Sequence, residues 1–151
     1  MELSECLAGL NDEDISFIAG TDRVLTGRSY VLKMTNKEGV TKLAYSDPVA
    51  KRALLNIKIS GSAVKVHIYG DNIRRYIDEI ASFPEKMVSA IRGCRKCAGA
   101  DRHQNCIGGY SFVMDDTEHL KCRYFNFVFD VNDDTRSYIT EMILKELSCR
   151  P

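Results

Sequence analysis

From Tyr30 onward, apolar residues recur at every second position. Tyr30, Leu32 and Met34 alternate with polar neighbours, and Asn36-Lys37-Glu38-Gly39 supplies a turn before a second run over 40–46. The pair reads as a hairpin. After Asp47-Pro48, residues 49–54 are expected to make a short helical turn. Leu55, Ile57 and Ile59 then alternate with Asn56, Lys58 and Ser60, and Ser60-Gly61-Ser62 marks the next turn. Val64, Val66 and Ile68 form the apolar side of a fourth strand, which leaves Lys65, His67 and Tyr69 on its other side.

The period then lengthens to about 3.6 residues. Ile73, Tyr76, Ile77 and Ile80 share one helical face after Asp71 or Asn72 as a cap, and Ser82-Phe83-Pro84-Glu85 has the spacing of a capping box. A second helix is expected there, burying Met87, Val88 and Ile91 and ending at Gly93. Further on, runs over 110–114 and 119–131 flank the polar turn Asp115-Asp116-Thr117-Glu118, with Phe125, Phe127, Phe129 and Val131 on one face of the longer strand. Asp133 or Asp134 is placed to cap a last helix that buries Ile139, Met142, Ile143 and Leu147.

These elements predict an α+β fold: an N-terminal antiparallel sheet packed by helices, then a cysteine-bearing hairpin and a C-terminal helix. The division runs 1–93 and 94–151, packed as one unit. The first 23 residues carry six acidic side chains against Arg23 alone, an acidic arm in which Asn11 or Asp12 caps a short helix with Ile15, Ile18 and Ala19 inward. Across 151 residues, 44% are apolar and 28% charged, which fits a globular chain rather than a disordered or collagenous one. Lys plus Arg equals Asp plus Glu at 21 each, so no global field draws the chain to nucleic acid or anionic lipid. The N-terminus lacks a basic and apolar leader, and no apolar run approaches the roughly 20 residues that span a bilayer. A cytoplasmic location follows, in which cysteines stay reduced.

Six cysteines change the picture. Cys94, Cys97, Cys106 and Cys122 fall within 29 residues, and the two-residue gap in Cys94-Arg95-Lys96-Cys97 is that of a metal knuckle. Four thiolates suit tetrahedral Zn2+ in a closed, structural site. The second pair departs from the usual ribbon spacing: Cys122 is expected opposite residue 110 or 111 of the hairpin, and Gly108-Gly109 must let Cys106 fold back. Dispersed structural cysteines, or a redox pair at Cys94 and Cys97, are the competing readings. His103 and His119 are substitute ligands without supporting spacing, and Cys6 and Cys149 read as free thiols near the termini.

Around the knuckle, Arg92, Arg95, Lys96, Arg102, Lys121, Arg123, Tyr124 and Phe125 mix charge with rings, a combination seen in nucleic-acid binders. Asp101, Asp115, Asp116 and Glu118 nearly cancel the charge. The chain contains no P-loop, no dinucleotide-binding glycine fingerprint, no HExxH and no nucleophile elbow. From Cys94-x2-Cys97 and Cys106 through Gly109-Tyr110 and Lys121-Cys122-Arg123-Tyr124-Phe125 to the closing helix, the last 60 or so residues resemble a group of small bacterial proteins with a cysteine-rich C-terminal segment. That resemblance implies metal binding and carries over no catalytic residue. The expected role is a noncatalytic, zinc-stabilised module that recognises a small molecule or a protein, self-association included. The alternatives are an enzyme with its pocket in the N-terminal sheet, using His67, Tyr69 or Tyr45, and a nucleic-acid-binding knuckle.

Overall fold

Alternation at period two builds a five-stranded antiparallel sheet in the computed structural model, which describes residues 1–97 and 106–151. Helices α1 (Leu3–Leu7) and α2 (Asp12–Gly27) precede β1 (Val31–Lys37), β2 (Val40–Asp47), β3 (Arg52–Ser60) and β4 (Ala63–Ile68). A 3-10 turn at Ile73–Arg75, the single-turn α3 (Ile77–Ile80) and α4 (Glu85–Arg92) follow. Beyond them come β5 (Gly109–Met114), β6 (Thr117–Cys122), β7 (Phe127–Asp130) and α5 (Arg136–Ser148). Strand order in the main sheet is β1-β2-β3-β4-β7, and β5 and β6 form a separate hairpin. The fold is α+β, with the C-terminal helix where the sequence predicts it.

Register carries the alternation across the sheet. Leu32, Tyr45, Leu55, Ile68 and Phe127 are successive partners, as are Met34, Leu43, Ile57, Val66 and Phe129. This face is buried against the helices. Glu38 and Gly39 both take positive φ (55° and 81°) in the two-residue turn joining β1 to β2, a conformation for which glycine is suited. Asp115 and Asp116 do the same between β5 and β6, at 53° and 61°.

Several sequence expectations are corrected. Residues 49–54 make no helical turn: Asp47 accepts the amides of Val49 and Ala50, Lys51 turns the chain at φ 57°, and β3 begins at Arg52. The helix expected from Ile73 to Ile80 is broken into a 3-10 turn and one α turn, yet Ile73, Tyr76 and Ile80 are buried as predicted. Ser82 does not cap α4. Its hydroxyl donates to the Glu79 carbonyl, and Pro84 takes the N-cap position. The long aromatic strand is two strands in two sheets, separated at 123–126 so that β6 stays in the hairpin while β7 bonds to β4. Neither Asp133 nor Asp134 caps α5; Thr135 holds that position, donating to Asp130 O and accepting from Asn132 N.

The acidic arm is longer and better anchored than its charge pattern suggests. Asn11 caps α2 through its bond from Asp14 N (2.8 Å), and the helix buries Phe17, Ile18, Thr21 and Leu25, with Ile15 packed at the margin. Asp14 is itself buried and accepts two bonds from the Arg136 guanidinium of α5, the shorter at 2.7 Å. Its charge is therefore spent on internal docking.

The most demanding feature is Glu146 on α5, whose side chain is 0% exposed. Its Oε1 accepts from Tyr76 Oη (2.7 Å) and Asn72 N (3.2 Å); its Oε2 accepts from Asn72 Nδ2 (2.7 Å) and Arg150 Nε (3.2 Å). Arg150 also donates to Ala53 O, Tyr69 O and Asp71, and Asp71 accepts from Arg52 at 2.6 Å. An isolated carboxylate could not be buried at tolerable cost; four donors, one of them cationic, offset its desolvation. Replacing Glu146 with Leu strands those donors and is expected to lower stability by about 3 kcal/mol or more in chemical denaturation. Lys65→Gln, which removes only the solvent-open pair with Asp130, should cost less than about 1 kcal/mol in the same assay.

Candidate functional site: the open sheet face and the cysteine segment

The side of the sheet that faces away from the helices reads in rows. Lys33, Ala44, Asn56, His67 and Val128 are successive partners, and next to them run Thr35, Lys42, Lys58, Lys65 and Asp130. Three lysines thus stand side by side on adjacent strands. The predicted polarity of Lys65 and His67 opposite Val64, Val66 and Ile68 is what the register produces. Tyr69 lies just past β4, its amide bonded to Leu54 O. Lys42 and Lys58 are half-buried by their stems and Lys65 is exposed. Lys65 pairs with Asp130 at 3.2 Å.

His67 sits beside this row and is tied to the cysteine segment. Its Nδ1 lies 3.2 Å from Asn126 Oδ1, an acceptor, so Nδ1 carries the proton and donates. The Nε2 atom is left as an acceptor and is buried without a partner among the described residues. Asn126 also accepts, through its carbonyl, from Cys94 Sγ at 3.3 Å. One asparagine at the break between β6 and β7 therefore links the open face to the first cysteine. Sequence reasoning did not single out Asn126, because a lone Asn in a loop carries no signal.

The hairpin gathers backbone around the other cysteines. Gly109 is the partner of Cys122, one residue from the predicted register, and the Gly109 amide donates to Cys106 O. Arg123 N donates to Gly108 O and Cys97 N to Leu120 O. Cys106 and Cys122 thus lie at the open end of the hairpin and the Cys97 backbone meets β6 at Leu120, while Cys94 turns its thiol to Asn126. All six cysteines are free. Among the described residues, no three His, Cys, Asp or Glu side chains converge in a group suited to a metal ion. Burial pushes the Cys94 thiol up, against a smaller opposing effect of Lys121.

Other candidates fall into place. Lys121, counted above with the surface cations, is fully buried, and its ammonium donates to Arg92 O and Cys94 O at the C-terminal end of α4. Arg92 is held by Glu85 and Asp115, and the Arg95 guanidinium lies over the Phe125 ring at 4.5 Å. Lys96 beside them is exposed. His119 stacks on Phe112, with ring centroids 5.2 Å apart. Tyr45 is fully buried and donates to Asp22 at 2.9 Å; burial raises its pKa far above the ordinary phenol range. That environment suits a core residue rather than an acid-base catalyst. Asp101, Arg102 and His103 lie outside the described residues.

The network around Glu146 opens onto a cavity of about 230 Å3 lined by Tyr30, Arg52, Asp71, Asn72 and Arg150 among others. These polar groups come from four distant parts of the chain, so no local motif announces them. Among the described residues, no helix is long and apolar enough to cross a membrane. No family model matches the chain, and no curated protein or solved structure matches it either.

The electrostatics of His67 give a measurable consequence. Burial is the first cause lowering its pKa; Lys58, Lys65 and Lys42 add repulsion, and the Asn126 bond opposes them. In an NMR titration its midpoint should fall below the ordinary value of about 6.5, and Lys58→Gln should raise it without restoring that value. Below about pH 6.5 an unfolded histidine takes up a proton that folded His67 refuses, so stability drops as pH falls toward the folded pKa. His67→Gln should show a shallower decline over that window.

Proposed function

We propose that the protein is a noncatalytic recognition module of the cytoplasm, with its cysteine segment closed by a structural zinc ion and its partner surface on the open face of the main sheet. The observation that carries this reading is the asymmetry of the sheet. One face is consumed by the core, while the other presents Lys33, Lys42, Lys58 and Lys65 in adjacent rows. The groups raised as catalysts support it by their environments: Tyr45 is locked in the core, and Cys94 is a raised thiol bonded to a carbonyl.

Support for zinc is the donor chemistry and the backbone bonds that draw Cys106 and Cys122 to the open end of one hairpin and Cys97 to its β6 strand. Bound there with Cys94, the ion would supply a closed tetrahedral crosslink and no open position for substrate. The Cys94 thiol would have to leave Asn126 O to join it. The bond from Asn126 to His67 would then be the remaining tie between this segment and the sheet face.

Protein prepared with reduced thiols and available zinc should hold about one Zn2+ per chain by elemental analysis. Cys97→Ser should abolish that stoichiometry and strip hydrogen-exchange protection from β5 and β6, leaving β1 to β3 protected. A zinc content near zero would overturn the metal assignment. For the recognition surface, heparin serves as a generic polyanion: its NMR shift changes should cluster on Lys42, Lys58, Lys65 and His67. Changes confined to the knuckle residues Arg95, Lys96 and Arg123 would point to the nucleic-acid-binding alternative.

A further inference from the structure

We propose that the open sheet face receives an acidic α-helix of a partner protein, laid across the strands with its carboxylates along Lys42, Lys58 and Lys65. This rests on the reading of that face as the recognition surface and adds the class of partner. The three lysines are direct register partners on β2, β3 and β4. Neighbouring strands lie about 4.8 Å apart, so the row offers three positive charges over about 10 Å. An α-helix advances about 5.4 Å per turn, and residues at i, i+4 and i+7 line one side of it. The two repeats match closely over three charges. An extended strand brings same-side residues around only every 6.6 Å or so and falls out of step.

The neighbouring rows leave room for a helix. Val40, Ser60 and Ala63 flank the lysines on one side and Ala44, Asn56 and His67 on the other, so small side chains leave room beside Lys42 and Lys58, and the imidazole next to Lys65 is itself half-buried. Among the described residues, Lys65 has Asp130 as a partner while Lys42 and Lys58 form no ion pair, which leaves two cations to be matched from outside. The row is also bounded. Thr35 ends it at β1 and Asp130 at β7. A nucleic-acid strand continuing along it would meet the Asp130 carboxylate and would find no Phe, Tyr or Trp in these rows to stack its bases on, only the half-buried His67 ring.

Two fluorescein-labelled, alanine-based peptides of about 18 residues, long enough to be helical, provide the test. They share one composition: in the first, three Glu sit at i, i+4 and i+7; in the second they are spread around the helix. Binding by anisotropy should favour the first peptide by at least about fivefold at low salt, with the preference lost near 1 M salt, where the Debye length is about 3 Å. Lys58→Glu should weaken the first peptide by at least about tenfold, Lys58→Gln by less, and Lys86→Glu on α4 should leave it unchanged. Thermal melts of each variant separate lost binding from lost folding. Equal affinity for the two peptides, indifference to Lys58→Glu, or no binding at all would overturn the proposal. So would tighter binding of a random-sequence DNA duplex or phosphatidylserine vesicles, or a concentration-dependent dimer that protects these lysines. Should heparin map to the face while the two peptides bind alike, the helix assignment fails and the recognition surface stands.

Discussion

Glu146 has to be ionically and sterically satisfied inside the protein, and that requirement fixes the placement of α5. The carboxylate reaches Asn72 and Tyr76, on the segment that leaves β4, while Arg150 one turn later grips Ala53 O and Tyr69 O on β3 and just past β4. With both ends of this network satisfied, α5 lies against one side of the sheet in one register. Gly70 shows how close the approach is: a Cβ there would stand 2.9 Å from Phe127 Cε2 and 3.2 Å from Met142 Cε. A larger residue would force the Phe127 ring to shift and crowd the Met142 side chain. The pair between Arg136 and Asp14 then fastens α2 to the same helix, so a buried charge at the C-terminal end organises the N-terminal one.

Closing one face of the sheet leaves the other to solvent, and the two faces differ in kind. Alternation sends Leu, Ile, Val and Phe inward, and the residues between them include three lysines in register. Like charges placed opposite one another repel, typically by a few tenths of a kcal/mol or more per pair. The half-buried stems of Lys42 and Lys58 pack on the sheet while their ammonium groups reach water. Burial first, and then repulsion from Lys58, Lys65 and Lys42, lowers the pKa of His67 in the row beside them. The face is thus held positive and otherwise uncommitted.

The cysteine segment shares the core through Phe112 and Met114, and reaches the open face through a short bonded path. Cys94 binds the Asn126 carbonyl, and the Asn126 side chain binds His67. Lys121 closes the α4 terminus by donating to Arg92 O and Cys94 O, fixing where the segment departs. Any rearrangement of Cys94, metal binding included, acts on the residue that orients His67. Cys94 and His67 thus meet at this one asparagine.

Local pattern sufficed for much of the fold. The β1–β2 hairpin, the polarity of β4, the buried side of α4 and the four core positions of α5 were all legible, because each depends on a period of two or about 3.6 and on nearby turn or cap residues. The capping of α4 and α5 was not. Ser82 and Asp133 had suitable chemistry, but the chain geometry gave their roles to Pro84 and Thr135. Nor could spacing reveal that the aromatic strand divides between two sheets, since both pieces keep the same alternation. The cysteines stood out by number and proximity, whereas the direction of each thiol depends on the hairpin register and on Asn126. The lysine row and the Glu146 network belong wholly to tertiary structure. Lys42, Lys58 and Lys65 are unremarkable charges in separate strands until pairing aligns them, and Glu146 lies about 70 residues from the groups it binds on Asn72 and Tyr76. Sequence determined which apolar side chains face inward; only folding decided that Asp14, Lys121 and Glu146 join them and which of the outward ones meet.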